Sequence, residues 1–314
     1  MNLIFKQTKT LIANTLGILI LAGTAFSCSK SEITEDQITD QSPILLHSTV
    51  SGGKVRLQTD QIESNRKLSF YVTQGSDVNN IIYDNAAITA DGNGGFSYTE
   101  KMYYPVDNSK VNFYAVHPYN DAASLVVNET ITFSVTPNQT TVNSYLQSDL
   151  LYASKSNVSR SKDKIGLEFT HKLSKVSFTI KPGNGMDLSD LNAVSILGIK
   201  PSTAINITTG GIQEANGNVT EILAYGVKGA TDGEVQVTGI QAIVVPQTIG
   251  IDTKLFKITV GSIDYYYTTP AAITYASGYN YNYELTINST GIDVSSSITP
   301  WINSEPITGE GEAE

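Results

Sequence analysis

From Pro43 onward the chain repeats with a period of two: apolar and polar residues alternate over short runs, and Gly, Asn or Asp interrupts each run. No long 3.6-residue stripe competes with this pattern, so it predicts many short antiparallel strands. "KLSFYVT" (Lys67–Thr73), "KVNFYAV" (Lys110–Val116), "TITFSVT" (Thr130–Thr136), "KVSFTIK" (Lys175–Lys181), "KLFKITV" (Lys254–Val260) and "YNYELTI" (Tyr281–Ile287) are the clearest examples. In each, an inward apolar set alternates with an outward polar set, as a sheet with one buried face requires. "ADGNGG" (Ala90–Gly95) supplies residues that tolerate positive φ and is expected to close a hairpin.

The alternation is absent from the first forty residues. Lys6 and Lys9 precede an apolar run, "LIANTLGILILAGTAF", with the layout of a secretory signal, and the run is shorter than the about twenty apolar residues of a membrane span. It is followed by Ser27 and Cys28, the single cysteine, within "LAGTAFSCSKSE". This segment resembles the bacterial lipobox, whose cysteine receives a diacylglyceryl group, although Phe26 stands where a small residue is usual and Ala25 where leucine is usual. A lone thiol cannot form an intramolecular disulfide, so lipidation gives Cys28 a use; the alternative is a plain secreted protein with an incidental cysteine. The expected partition is a lipoprotein signal peptide at 1–27, a polar tether at 28–42, and two blocks at 43–163 and 164–314 that meet near the basic stretch Ser154–Lys164, read as a solvated loop. Blocks of this size suit two β-sandwiches in tandem, with a barrel as the alternative.

A net charge of −10 argues against a nucleic-acid partner, which needs local positive charge. The chain has no His-Glu metalloprotease helix motif and no G-x-S-x-G elbow. His47, His117 and His171 are scattered, and the last two read as strand-borne packing residues. "GNGM" (Gly183–Met186) lacks the third glycine of a dinucleotide fingerprint and reads as a turn, and "ADGNGG" lacks the later acidic ligands of a calcium loop. Neither catalysis nor a cofactor or metal is expected.

Six segments in order carry a more specific signal: "MYYPVDNSKVNFYAVHPYND" (Met102–Asp121), "SDLLYA" (Ser148–Ala153), "LEFTHKLSKVSFTIKPGNG" (Leu167–Gly185), "AIVVPQTI" (Ala242–Ile249), "YASGYNYNYELTI" (Tyr275–Ile287) and "ITPWINSE" (Ile298–Glu305). Together they resemble the fimbrillin-like family of Bacteroidota, the Mfa-like or FimA-like pilins of type V pili. The resemblance implies an all-β chain of two tandem transthyretin-like antiparallel β-sandwich domains. It also implies export as a lipoprotein to the outer membrane, proteolytic loss of the lipidated segment with the first strand, and filling of the groove by a strand of a neighbouring pilin. The product would be an adhesive fimbrium at the cell surface, with a host or bacterial surface receptor as its further partner.

Carried onto this sequence, the displaced strand is "PILLHSTV" (Pro43–Val50), with Ile44, Leu46, Ser48 and Val50 on one face and Leu45, His47 and Thr49 on the other. Processing is expected after Arg56, behind Gly52 and Gly53, with Arg66 or Lys67 as alternatives. The candidate donor segment carries Ile292, Val294, Ile298 and Trp301, although Trp301 can equally pack on its own C-terminal domain, and the acidic "GEGEAE" end does not look like a donor strand. Burying five apolar side chains at about 2 kcal/mol each would hold an inserted strand with on the order of 10 kcal/mol before ordering costs. The competing reading is a surface lipoprotein that does not polymerise, either an anchor or tip pilin or a module binding glycans on the tyrosines of "IDYYYTT" (Ile263–Thr269).

Overall fold

The computed structural model describes residues 42–50, 61–126 and 128–301. Cys28, Arg56, the signal segment 1–27, the tether before Ser42 and the acidic end after Trp301 lie outside the described residues. In chain order the first strands are β1 (Leu46–Val50), β2 (Lys67–Gln74), β3 (Ile81–Ala90), β4 (Phe96–Tyr98), β5 (Val111–His117), β6 (Ile131–Ser134), β7 (Leu151–Val158) and β8 (Ile165–His171). They continue as β9 (Ser174–Pro182), β10 (Leu191–Ile199), β11 (Ser202–Ile205), β12 (Thr220–Leu223), β13 (Val237–Val244), β14 (Gln247–Ile249), β15 (Lys254–Val260), β16 (Ile263–Thr268), β17 (Ile273–Tyr275), β18 (Tyr279–Asn288) and β19 (Gly291–Pro300). Among the described residues there is one short helix, α1 (Val142–Gln147), capped by Thr141, whose hydroxyl accepts from the Ser144 amide while the Ser144 hydroxyl accepts from the Thr141 amide.

The chain is thus all-β, and each of the six alternating runs lies on a strand. The first sheet has the order β1-β8-β7-β5-β2-β3-β4. Two four-stranded sheets, β12-β10-β15-β16 and β13-β9-β18-β19, pack face to face, with Phe178 of β9 meeting Phe256 of β15 edge-on at 5.0 Å. Two pairings are parallel, β1 with β8 and β9 with β18, where wholly antiparallel sheets were expected.

Sheet membership does not follow the expected boundary at 163/164. Residues 165–171 pair with β7 and β1 inside the first sheet, whereas β6 pairs with β11 of the later chain. The basic stretch is also shorter as a loop than expected, since β7 runs on to Val158. Gln139 ties the segment after β6 to β13: its side chain donates to the Ile243 carbonyl and accepts from the Ile243 amide, both at 2.8 Å, in place of a neighbouring strand.

Two hydrophobic cores result, and the middle of the first sheet contributes to both. Leu68, Phe70 and Val72 of β2, with Val111, Phe113 and Ala115 of β5, face one core. Tyr71, Tyr114, Val116 and Tyr152 face the other, together with the aliphatic residues of β9, β10, β13 and β15. β5 is buried at every position, so the polar-looking set of β2 and β5 faces protein where solvent was expected. Tyrosine suits that role because its ring packs while its hydroxyl stays available: Tyr152 donates to the Ile207 carbonyl at 3.0 Å.

Candidate functional site

β1 stands apart from its sheet because it closes both of its edges. Along one side it runs parallel to β8 through five pairs, Leu46 opposite Ile165 to Val50 opposite Phe169. On the other side it meets the far end of the same sheet: the Ser48 amide donates to the Gly94 carbonyl at 2.7 Å, the Ile44 amide to the Met102 carbonyl at 2.8 Å, and the Leu46 amide to the Tyr98 hydroxyl at 2.9 Å. The Ala90–Gly95 turn that makes this approach joins β3 to β4, with Ala90 opposite Phe96, and Asp91 spends its carboxylate on the amides of Asn93 and Gly95. Gly94 sits at φ +83, and a Cβ there would collide with the imidazole of His47.

The inward set of this strand is Ile44, Leu46, Ser48 and Val50, exposed by 2%, 2%, 0% and 6%, while Thr49 is exposed and Leu45 and His47 are half-buried. Ser48 is the small member, with its hydroxyl 3.4 Å from the Gly94 carbonyl. At the entry to the strand Arg160 donates to the Ser42 hydroxyl at 3.1 Å and to the Asn108 side chain at 3.1 Å.

At the far end, Val50 joins Ile62, Glu63, Arg66, His117, Leu146, Asp149, Leu151 and His171 around a cavity of about 60 Å³. Asp149 organises it: its carboxylate takes the His171 Nδ1 at 2.9 Å and its carbonyl the His117 Nδ1 at 2.8 Å. Burial pushes the His117 imidazole below its ordinary pKa, against the pull of Asp149, so it is neutral. Burial likewise lowers Lys175 to about 8, with Asp149 opposing, and raises the Glu63 carboxyl, with Arg66 opposing. The quoted segments "SDLLYA" and "LEFTHKLSK" supply Asp149, His171 and Lys175, but sequence spacing gave no signal that they converge. Among the described residues no group of three or more His, Cys, Asp or Glu is arranged to hold a metal.

Arg66 and Lys67 lie where main chain is already paired. The Arg66 carbonyl accepts from the Ala90 amide at 2.8 Å, its guanidinium donates to Asn143 at 3.0 Å, and Lys67 opens β2 opposite Thr89. The segment that carries Arg56 links Val50 to Gln61 outside the described residues.

The candidate donor residues are folded back on their own chain. β19 forms a hairpin with β18 through ten antiparallel pairs. Ile292 and Val294 are half-buried against the second core, and Ile298 is 61% exposed. Trp301 is 4% exposed, donates its amide to the Gly278 carbonyl at 2.6 Å, and stacks on His171 with ring centroids 3.9 Å apart. It therefore bridges the end of β19 to β8. Of the tyrosines in β16, Tyr265 and Tyr267 pack against the core, and Lys254 lies over the exposed Tyr266 ring at 4.6 Å.

Comparison with known proteins places this architecture. Over 327 aligned residues, covering 98% of each chain, the sequence is 28% identical to a Bacteroides uniformis protein described as a candidate fimbrium subunit, Fim1C. The structure superposes on that of a candidate cell adhesion protein from Bacteroides uniformis with a TM-score of 0.62 and 26% identity, covering 83% of this chain and 99% of that one. A candidate cell adhesion protein from Bacteroides ovatus shares the fold, with a TM-score of 0.67 at 19% identity over 84% of this chain and 99% of that one. Residues 55–301 match the sequence model of the fimbrillin-like family, and the chain therefore belongs to that family, one of structural fimbrial and cell-adhesion proteins and not of enzymes.

Proposed function

We propose that this chain is a fimbrial subunit exported with β1 in place as a removable plug, and that loss of β1 opens the groove through which it joins a neighbouring pilin. The observation that carries the reading is the position of β1, which closes both edges of one sheet and is joined to the rest of the chain through residues 51–60. Ile44, Leu46 and Val50, at about 2 kcal/mol each, contribute on the order of 6 kcal/mol of burial, less than five apolar residues would because the strand has only four inward places and Ser48 occupies one of them. Removing the strand uncovers that apolar surface and a row of unpaired main-chain groups, which a new strand would satisfy.

In this scheme Cys28 carries the lipid that delivers the precursor to the outer membrane, and processing follows Arg56. The pairing of main chain at Arg66 and Lys67 supports Arg56 over those alternatives, because a protease must draw an extended segment away from its partners. The two cores are read as two transthyretin-like sandwiches that share the first sheet. The glycan-binding alternative is weakened by the tyrosines of β16, two of which face inward.

The test is the N-terminus of the protein recovered from cell surfaces. A start just after Arg56 in detergent-resistant oligomers is the expected result. A mature chain that begins at lipid-modified Cys28 and is present only as monomers overturns the proposal.

A further inference from the structure

Val50 is the last residue of β1 and Trp301 directly follows β19, so the two are far apart in sequence, yet both reach one imidazole. Val50 pairs with Phe169, and His171, two residues further along β8, lines the Asp149 cavity together with Val50. Trp301 lies on the same His171 ring, with the two planes 10° from parallel. The seat of one strand's end is therefore also part of the seat of the other's.

What fixes that imidazole is a hydrogen bond that depends on a dry site. His171 Nδ1 meets the Asp149 carboxylate at 2.9 Å, both residues are 9% exposed, and Val50, Ile62, Leu146 and Leu151 form the aliphatic wall around them. Such a bond is strong where water is excluded and is exchanged for solvent where it is not. Taking β1 away removes Val50 from the wall and leaves β8 without a partner on that side. Water then competes for the Asp149 oxygen, and an imidazole free to turn about its broad outer torsion is no longer a fixed platform.

Trp301 relies on that platform. Its indole Nε1 finds no acceptor among the described residues, and beyond the stack its amide donates to the Gly278 carbonyl at 2.6 Å. Every residue from Ser295 to Pro300 is exposed, so this stretch rests on its ladder with β18 and on the clamp at Trp301. We propose that His171 is a latch: with β1 seated, Trp301 is clamped and the end of β19 is held to its own subunit, and when β1 leaves, Trp301 lifts and that end is released. The latch sets an order, because the end of β19 stays closed until the plug has gone. This inference rests on the reading that β1 is a removable plug.

The experiment uses the full, uncut chain, in which β1 stays in place and only one end of it is weakened. Val50→Ala thins the wall beside His171, whereas Leu46→Ala removes a larger buried side chain at the opposite end of the strand. Trp301, the single tryptophan, reports through acrylamide quenching of its fluorescence. Quenching should rise about threefold in Val50→Ala and stay at the parent value in Leu46→Ala, since a local opening exposes only what it touches. Coupling is reciprocal, so amide hydrogen exchange over β1 should quicken about tenfold relative to β5 in Trp301→Ala, and should be unchanged in Ile298→Ser.

Equal quenching in the two β1 variants, or exchange over β1 that merely follows β5 in Trp301→Ala, overturns the latch even in a protein that loses β1 at the cell surface. The underlying reading is scored separately, by N-terminal sequencing. Retention of Ile44–Val50 in the assembled protein refutes removal of β1 whatever the variants do.

Discussion

β1 and β19 each stand at the end of a sheet's strand order, and they are held by different means. β1 has five ladder pairs and an inward set that is almost wholly buried; β19 has ten pairs and an inward set that is largely exposed. Main-chain hydrogen bonds exchange against water and contribute about 1 kcal/mol net each, whereas each buried aliphatic side chain contributes about 2 kcal/mol. β1 is therefore a strand defined by its pocket, and β19 one defined by its ladder. Substitutions should separate the two.

The largest effect is expected where β19 does have a pocket. Trp301→Ala removes the ring stacked on His171 and should cost about 3–5 kcal/mol, read as a loss of chemical-denaturation stability. Leu46→Ala, which leaves a cavity under β1, should cost about 2–5 kcal/mol in the uncut chain. Thr49→Ala, at the exposed position of the same strand, should cost no more than about 0.5 kcal/mol, so equal losses at the two positions would refute the pocket account.

A smaller effect should come from the cavity where β1 ends. His117 is neutral in the fold because burial lowers its pKa, whereas in the unfolded chain it titrates near about 6.5. A depressed folded value means stability that is present above about pH 6.5 and is lost as pH falls toward the folded value. Glu63, whose folded value is raised, contributes the opposite slope nearer its own range. Thermal melts between pH 7.5 and 5.5 should therefore fall more steeply in the parent than in His117→Gln, and parallel slopes would remove His117 from the account.

The smallest effect belongs to the exposed end of β19. Ile298→Ser should change subunit stability by no more than about 0.5 kcal/mol, since the side chain is already mostly in water. A loss like that of Leu46→Ala would show that β19 is a pocket strand after all.

The individual strands were legible in the sequence, since period two survives wherever a strand has one clearly apolar face, as in β9 and β18. What could not be read was the second use of the first sheet. In "KLSFYVT" the set Ser69, Tyr71, Thr73 looks like a solvent face, yet all three are buried, because tyrosine, serine and threonine can enter a core once their hydroxyls are placed. The inward residues of β1 could be named for the same reason that β9 could, but the closing contact with Gly94 depends on sheet curvature, which local alternation does not encode. Asp149 was hidden more completely. A single acidic residue among apolar neighbours carries no spacing signal, and only the fold brings His117, His171 and Lys175 around it.

The parallel pairing of β1 with β8 also sets how the molecule bears tension. β8 passes into β9 through Lys172 and the fully buried Leu173, whose carbonyl accepts from the Gly278 amide at 2.8 Å, so the groove is wired almost directly into the second set of sheets. A strand seated beside β8 and pulled along its axis loads all five pairs at once, in shear, and must break them together. The β18–β19 hairpin pulled from its free end would instead peel one pair at a time. Under such a load the short five-pair ladder is the mechanically stiffer of the two.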